Sequence, residues 1–151
     1  MAIIGDQLLT LSQLKGFLYS GDRLEISEKA LQRVKSNHQF LVDFSTDKII
    51  YGINTGFGPM AQYRVSDEDR KVLQYNLIRS HCSGTGAQLD PIYVKAAMIV
   101  RLNSFLIGKS GVHESLVLLL RDLVNNNITP VAYEHGGVGA SGDLVQLAHL
   151  A

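Results

Sequence analysis

A chain of 151 residues, 46% apolar and 19% charged, has the composition of a soluble globular protein and is long enough for one domain with a hydrophobic core. Its 14 basic and 14 acidic residues cancel, so no charge excess marks a nucleic acid or another polyanion as partner. One cysteine, Cys82, excludes an internal disulfide; Met1–Asp6 lacks the pattern of a secretory leader and no apolar run reaches membrane-spanning length, which together point to the cytoplasm.

The first predicted helix is capped by Thr10, carries Leu11, Leu14, Phe17 and Leu18 at helical spacing, and stops at Ser20-Gly21-Asp22. Ser27-Glu28-Lys29-Ala30 opens a second, with a stripe of Leu31, Val34, His38, Leu41 and Val42 and with Phe44 near its end. On that face His38 reads as a packed or surface histidine, not a ligand. Lys48 to Ile53 is a short β-branched run, predicted to be extended. It leads into Asn54-Thr55-Gly56-Phe57-Gly58-Pro59, a loop by its glycines and proline.

Ser66-Asp67-Glu68-Asp69 loads acid onto the start of a third helix. That helix carries Val72, Leu73, Asn76, Leu77 and the doublet Ser80-His81, and Gly84-Thr85-Gly86 ends it. Asp90-Pro91 places a cap before a proline at the first helical position, and the fourth helix runs through Val94, Met98, Leu102 and Phe105 to about Gly108. A fifth starts near His113-Glu114 and stops at Asn125-Asn126-Asn127. Its segment Leu116 to Leu120 is apolar all round, which predicts burial against several helices. Ile128 to Tyr133 reads as extended. The expected architecture is mainly α, with short extended pieces around two glycine-rich loops.

The second of those loops, His135 to Asp143, holds four glycines and an alanine in nine residues and feeds a helix that opens at Leu144. Three chemistries suit such a turn. Gly137-Val138-Gly139-Ala140-Ser141-Gly142 satisfies G-x-G-x-x-G, the pattern of a dinucleotide-binding turn. Asp143 opposes this, because a carboxylate there repels phosphates and competes for the amides they require. A nucleophilic serine fails, since Asp143 stands where G-x-S-x-G needs its second glycine. The third is self-modification: the Gly142 nitrogen folds back onto the Ala140 carbonyl with loss of one water, and the Ser141 hydroxyl leaves as a second. The product is a conjugated methylidene, an electrophile that no ordinary side chain supplies. Asp143 is placed to move protons in that dehydration or to cap the helix.

Gly136 to Leu144 matches Gly-x-x-Gly-Ala-Ser-Gly-Asp-Leu, and Tyr51 to Gly58 matches Tyr-Gly-x-Asn-Thr-Gly-Phe-Gly. With both motifs in this order and spacing, the chain from about Thr10 onward resembles the aromatic amino-acid ammonia-lyases. These carry a 4-methylidene-imidazol-5-one (MIO) group. The resemblance implies a helical-bundle, fumarase/aspartase-like fold, with residues 1–151 as the N-terminal, MIO-bearing part of a larger enzyme. Consistent with that, the chain stops at Ala151 inside an apolar helical pattern with no stop signal. The central bundle and the carboxylate-binding arginine then lie beyond Ala151, and the 1–151 fragment by itself is expected to be inactive.

Roles carry over residue by residue. Ala140, Ser141 and Gly142 form MIO, with Asp143 beside them, and Tyr51 is the base that takes a proton from the substrate Cβ. A phenol has an ordinary pKa of about 10, so the role demands dipoles or cations close by. Gly58 lies at the substrate, and Ser80-His81 faces its side chain. A buried polar pair left unpaired is costly, so the doublet favours an imidazole or a phenol over a plain phenyl. The first reading is L-histidine converted to urocanate; the alternative is L-tyrosine converted to p-coumarate, with aminomutases sharing the same group. Family members are mostly homotetramers whose sites combine three subunits.

Five histidines without an H-x-H or HExxH pair, and one cysteine, give no expected metal site, and the lyase reading needs no nucleotide. Cys82 and His81 are adjacent in a helix and point apart, so they do not form a nucleophile–base pair. The reading from a different class is a non-catalytic dinucleotide-binding module using Gly137 to Gly142.

Overall fold

A computed structural model describes residues 1–139, 142 and 144–151, and of Asp67 only the backbone. Its residues cluster into two compact units, Met1–Leu41 with Leu89–Val131 and Val42–Gln88 with Ala132–Ala151. Among the described residues six α-helices dominate and the strands are three or four residues long, in agreement with the expected helical class.

In the first unit β1 (Ala2–Ile4) pairs in parallel with β2 (Leu24–Ile26), Ala2 opposite Leu24 and Ile4 opposite Ile26. Three-residue strands carry too little periodicity to be read from sequence. Here the pairing is pinned by a residue 101 positions away: the Leu24 N–H donates to Asn125 Oδ1 (2.8 Å), and Asn125 Nδ2 donates to the Leu24 carbonyl (2.9 Å). The helices begin where their caps predict. Before α1 (Leu11–Tyr19) the Gln13 N–H donates to Thr10 Oγ1 and the Thr10 N–H to Gln13 Oε1, a reciprocal capping box. Ser27 caps α2 (Glu28–Ser45) by accepting the Ala30 N–H, and Asp90 caps α4 (Pro91–Phe105) by accepting the Ile92 N–H. The cap of α5 (Glu114–Asn125) is the imidazole of His113, which accepts the Ser115 N–H at Nδ1.

The apolar core of this unit is gathered around α4 and α5, with Phe17 of α1 and Leu24 of β2 also fully buried. Val94, Met98, Leu102 and Phe105 are buried on α4, and Val117, Leu120 and Val124 on α5. Each such side chain contributes about 1.5–3 kcal/mol by leaving water. The expectation of all-round burial at Leu116 to Leu120 is corrected: Leu116 and Leu119 are exposed, because residues spaced three and four apart share one face and only that stripe meets α4. The second helix buries Ala30 and Val34 of its first half, while Val42 and Phe44 are exposed. His38 is a packed histidine, its Nδ1–H donating to the Gly111 carbonyl (2.9 Å).

The second unit contains α3 (Asp67–His81), β3 (Thr85–Gln88) antiparallel to β4 (Tyr133–His135), a 3-10 turn at Gly58–Met60, and α6 (Leu144–Leu150) packed on α3. Ser66 caps α3 through the Asp69 N–H (3.2 Å), as its spacing predicts. The extended stretch before the second glycine-rich loop lies later in the chain than expected, since Pro130 has no N–H to give a ladder. Among the described residues of this unit the buried apolar side chains are Ala132 and Val145, beside the buried polar Asn54 and Thr55. Hydrogen bonds therefore organise this half more than apolar burial does. Among the described residues no helix is long and apolar enough to cross a membrane.

Candidate active site

The first glycine-rich segment is built from the inside by two buried polar side chains. Asn54, fully buried, donates from Nδ2 to the Lys48 carbonyl (2.6 Å) and accepts the Ile50 N–H at Oδ1 (2.7 Å). Thr55 accepts the Gly52 N–H at Oγ1 (3.3 Å) and donates to the Gly56 carbonyl (2.9 Å). These bonds curl Lys48 to Asn54 into turns. The β-branched run predicted as extended is therefore no strand: the Asn54 amide takes the backbone groups that a ladder would have used. A Cβ on Gly56 would lie 2.7 Å from the Met60 carbonyl oxygen, so only glycine fits there.

This curl presents Tyr51 outward. The residue is 61% exposed and its ring lies edge-on to that of Phe57 at 6.0 Å. The phenol oxygen accepts the N–H of Gly58 (3.2 Å), whose φ of +55° is tolerated because it has no side chain. Two residues singled out from the motif, Tyr51 and Gly58, are thus in direct contact. Asn54 and Thr55, which set that contact, were not singled out, although both stand in the motif between two glycines. Without Asn54 the part-buried Lys48 carbonyl and Ile50 N–H lose their partners, each bond being worth about 0.5–1.5 kcal/mol. In the complete enzyme N54A is expected to lower the melting temperature and to reduce kcat/KM about a hundredfold through a displaced Tyr51. Thermal scans and steady-state kinetics check both. Unchanged kinetics would show that the loop holds Tyr51 without this amide.

The doublet sits in the last turn of α3. His81 Nδ1–H donates to the Leu77 carbonyl (2.8 Å), and Ser80 Oγ donates to the same oxygen (2.9 Å), 3.1 Å from the His81 ring nitrogen. In the neutral imidazole this leaves His81 Nε2 as a hydrogen-bond acceptor. Cys82, which ends the helix, does not pair with its neighbour His81. Its Sγ lies 3.2 Å from Nδ1 of His149 on α6, and His149 Nε2 accepts the Gly84 N–H (3.2 Å).

In the second glycine-rich segment Ala140, Ser141 and Asp143 lie outside the described residues. Around them two behaviours of glycine are visible. Gly136, at φ +125°, touches another backbone: a Cβ there would lie 3.2 Å from Gly84 Cα and 3.0 Å from Val145 Cγ1. Among the described residues nothing lies within 4 Å of where a Cβ would go at Gly139 or Gly142, and Gly142 adopts φ +89°. A residue with a side chain would be strained in that left-handed conformation, so the turn needs glycine at 142. The strand before the turn, β4, is antiparallel to β3, whereas a dinucleotide-binding turn belongs to a parallel βαβ unit. Among the described residues no group of three or more His, Cys, Asp or Glu side chains is arranged to hold a metal ion.

The chain is similar to known proteins over nearly its whole length. Residues 9–151 match the family model for aromatic amino acid lyases. The histidine ammonia-lyase of Staphylococcus saprophyticus is 40% identical over 149 residues, which is 98% of this chain and 30% of that protein. The crystal structure of the ergothioneine-degrading enzyme ergothionase from Treponema denticola superposes with a TM-score of 0.91 at 30% identity, covering 97% of this chain and 30% of that one. Phenylalanine aminomutase from Pantoea agglomerans gives 0.90 at 26% identity, over 99% and 29% of the two chains. The chain thus spans about 30% of the length of the curated relative it matches. Two motifs at matching spacing, a helical fold shared with these enzymes, and a family match over nearly every residue lead to one conclusion: the chain belongs to the aromatic amino acid lyase family.

Proposed function

We propose that the complete protein is a carbon–nitrogen lyase that eliminates ammonia from L-histidine to give urocanate. Residues 1–151 are its N-terminal, MIO-bearing part. The observation that carries the choice of substrate is the tautomer imposed on His81. With Nδ1–H committed to the Leu77 carbonyl, Nε2 accepts a hydrogen bond from the substrate side chain. An imidazole N–H or a phenol O–H can donate to it, and a phenyl ring cannot. A site built to pair such a donor rejects the analogue that lacks it by about 10⁴–10⁵. Between the two donors, 40% identity to a protein named histidine ammonia-lyase favours the imidazole.

Ala140, Ser141 and Gly142 are the residues that would hold MIO. When present, that group supplies an electrophile that turns the substrate's amine into a leaving group. Tyr51 removes the proton from Cβ, while the Gly58 N–H holds the phenol oxygen in place. His81 and Ser80 orient the side chain, so that the departing proton faces Tyr51. Asp143 moves protons while the turn dehydrates, or caps α6. The rest of the site comes from the remaining length of the enzyme and from other subunits of a cytoplasmic homotetramer, and the 1–151 piece alone is inactive.

Assay of the complete enzyme with L-histidine and L-tyrosine, with product absorbance as the readout, tests this reading. Urocanate is expected, with kcat/KM for histidine exceeding that for tyrosine by at least about tenfold. Preferential p-coumarate production would replace histidine by tyrosine. A β-amino acid without free ammonia would make the enzyme an aminomutase, and no turnover of either amino acid would end the proposal.

A further inference from the structure

We propose that His149 is a positioning residue for substrate reading, holding the end of α3 so that Ser80 and His81 keep their place. This rests on the proposed role of that doublet. The described side chains of the helix that carries the doublet are exposed or half-buried, so it has no fully buried anchor of its own. Instead, one imidazole ties down the backbone just beyond the doublet. His149 Nε2 accepts the Gly84 N–H (3.2 Å), which leaves the proton of the neutral ring on Nδ1, directed at Cys82 Sγ (3.2 Å). Tyr133 of β4 meets the same ring edge-on at 5.5 Å. His149 therefore grips the residue that ends α3 and the residue that begins the next segment, from a helix opening just after the second glycine-rich turn.

The grip depends on Gly84 being glycine. A Cβ at that position would lie 2.5 Å from His149 Nε2 and 3.1 Å from Tyr133 Cβ, and would push the imidazole off the backbone N–H. Gly136 completes the junction, its own absent Cβ admitting Gly84 Cα. In sequence His149 is one of five unclustered histidines, and Cys82 has only its chain neighbour as a visible partner.

The test uses the complete enzyme with L-histidine as substrate. H149L is expected to raise KM about tenfold with kcat within about threefold, since the reacting atoms and the dehydrated turn are untouched. Intact mass should still be short by two waters. H149Q, whose Oε1 can take the Gly84 N–H, is expected to return KM to within about threefold of the parent. G84A should raise KM as H149L does, and the G84A/H149L double variant should be no worse than the poorer single one, because both break one contact.

Parental KM in H149L, equal impairment of H149Q and H149L, additive losses in the double variant, or a mass no longer short by two waters would each overturn the proposal. If H149L does not accumulate as folded protein, the contrast between H149Q and G84A decides. S80A and H81L separate this idea from its premise. If they change neither KM nor the preference between histidine and tyrosine, the doublet does not read substrate and both ideas fall. If they do while H149L does not, only the role of His149 is lost.

Discussion

Replacing Ser141 by alanine in the complete enzyme is expected to lower histidine deamination by about a thousandfold or more, the scale on which loss of a covalent catalyst acts. The reason lies in the two dehydrations. Ring closure between the Gly142 nitrogen and the Ala140 carbonyl expels one water, and departure of the Ser141 hydroxyl expels the other. Alanine at 141 has no hydroxyl to lose, so the alkene cannot form. Intact mass then reads short by one water at most, where the parent reads short by two within the peptide spanning Ala140 to Gly142. Continued deamination by S141A at the parental rate would end the proposed lyase mechanism. A two-water deficit persisting in S141A would show that the missing mass does not come from residue 141, and would end it as well.

The second large effect belongs to Tyr51. Y51F removes the oxygen that accepts the Gly58 N–H and keeps the ring that lies edge-on to Phe57. Asn54 and Thr55 hold the loop from behind, so it keeps its fold without the Tyr51 oxygen. The expected result is a fall in kcat of about 10²–10⁴, the range lost with a general base, alongside an unaltered two-water mass deficit. Steady-state kinetics and mass spectrometry on one preparation separate proton abstraction from formation of the electrophile. A Y51F enzyme with parental kcat would assign the base to another residue.

How far the fold could be read depended on how local its causes are. Thr10, Ser66 and Asp90 each bond an N–H two or three residues away, so the helix starts they specify were legible in the sequence. The β1–β2 pairing was not, because its register is held by Asn125, 101 residues from Leu24. The run from Lys48 to Ile53 has the composition of a strand, and one buried amide, Asn54, turns it instead. For Leu116 to Leu120, composition alone could not say which face would meet α4.

The candidate site divides in the same way. Tyr51, Gly58, Ser80, His81 and Ala140 to Asp143 were identifiable from residue type and order, because the chemistry asked of them requires a phenol, a bare amide, a polar doublet and an eliminable hydroxyl. By itself the sequence determined the helix starts, the glycine-rich turns and the family to which those motifs belong. Tertiary structure alone decided that the Gly58 amide meets the Tyr51 oxygen, that Asn54 and Thr55 shape the loop behind them, and that His149 is the partner of Cys82. The physical reason is range. A cap or a glycine turn is settled among neighbouring residues, whereas a buried hydrogen bond between distant segments forms only once the fold has brought them together.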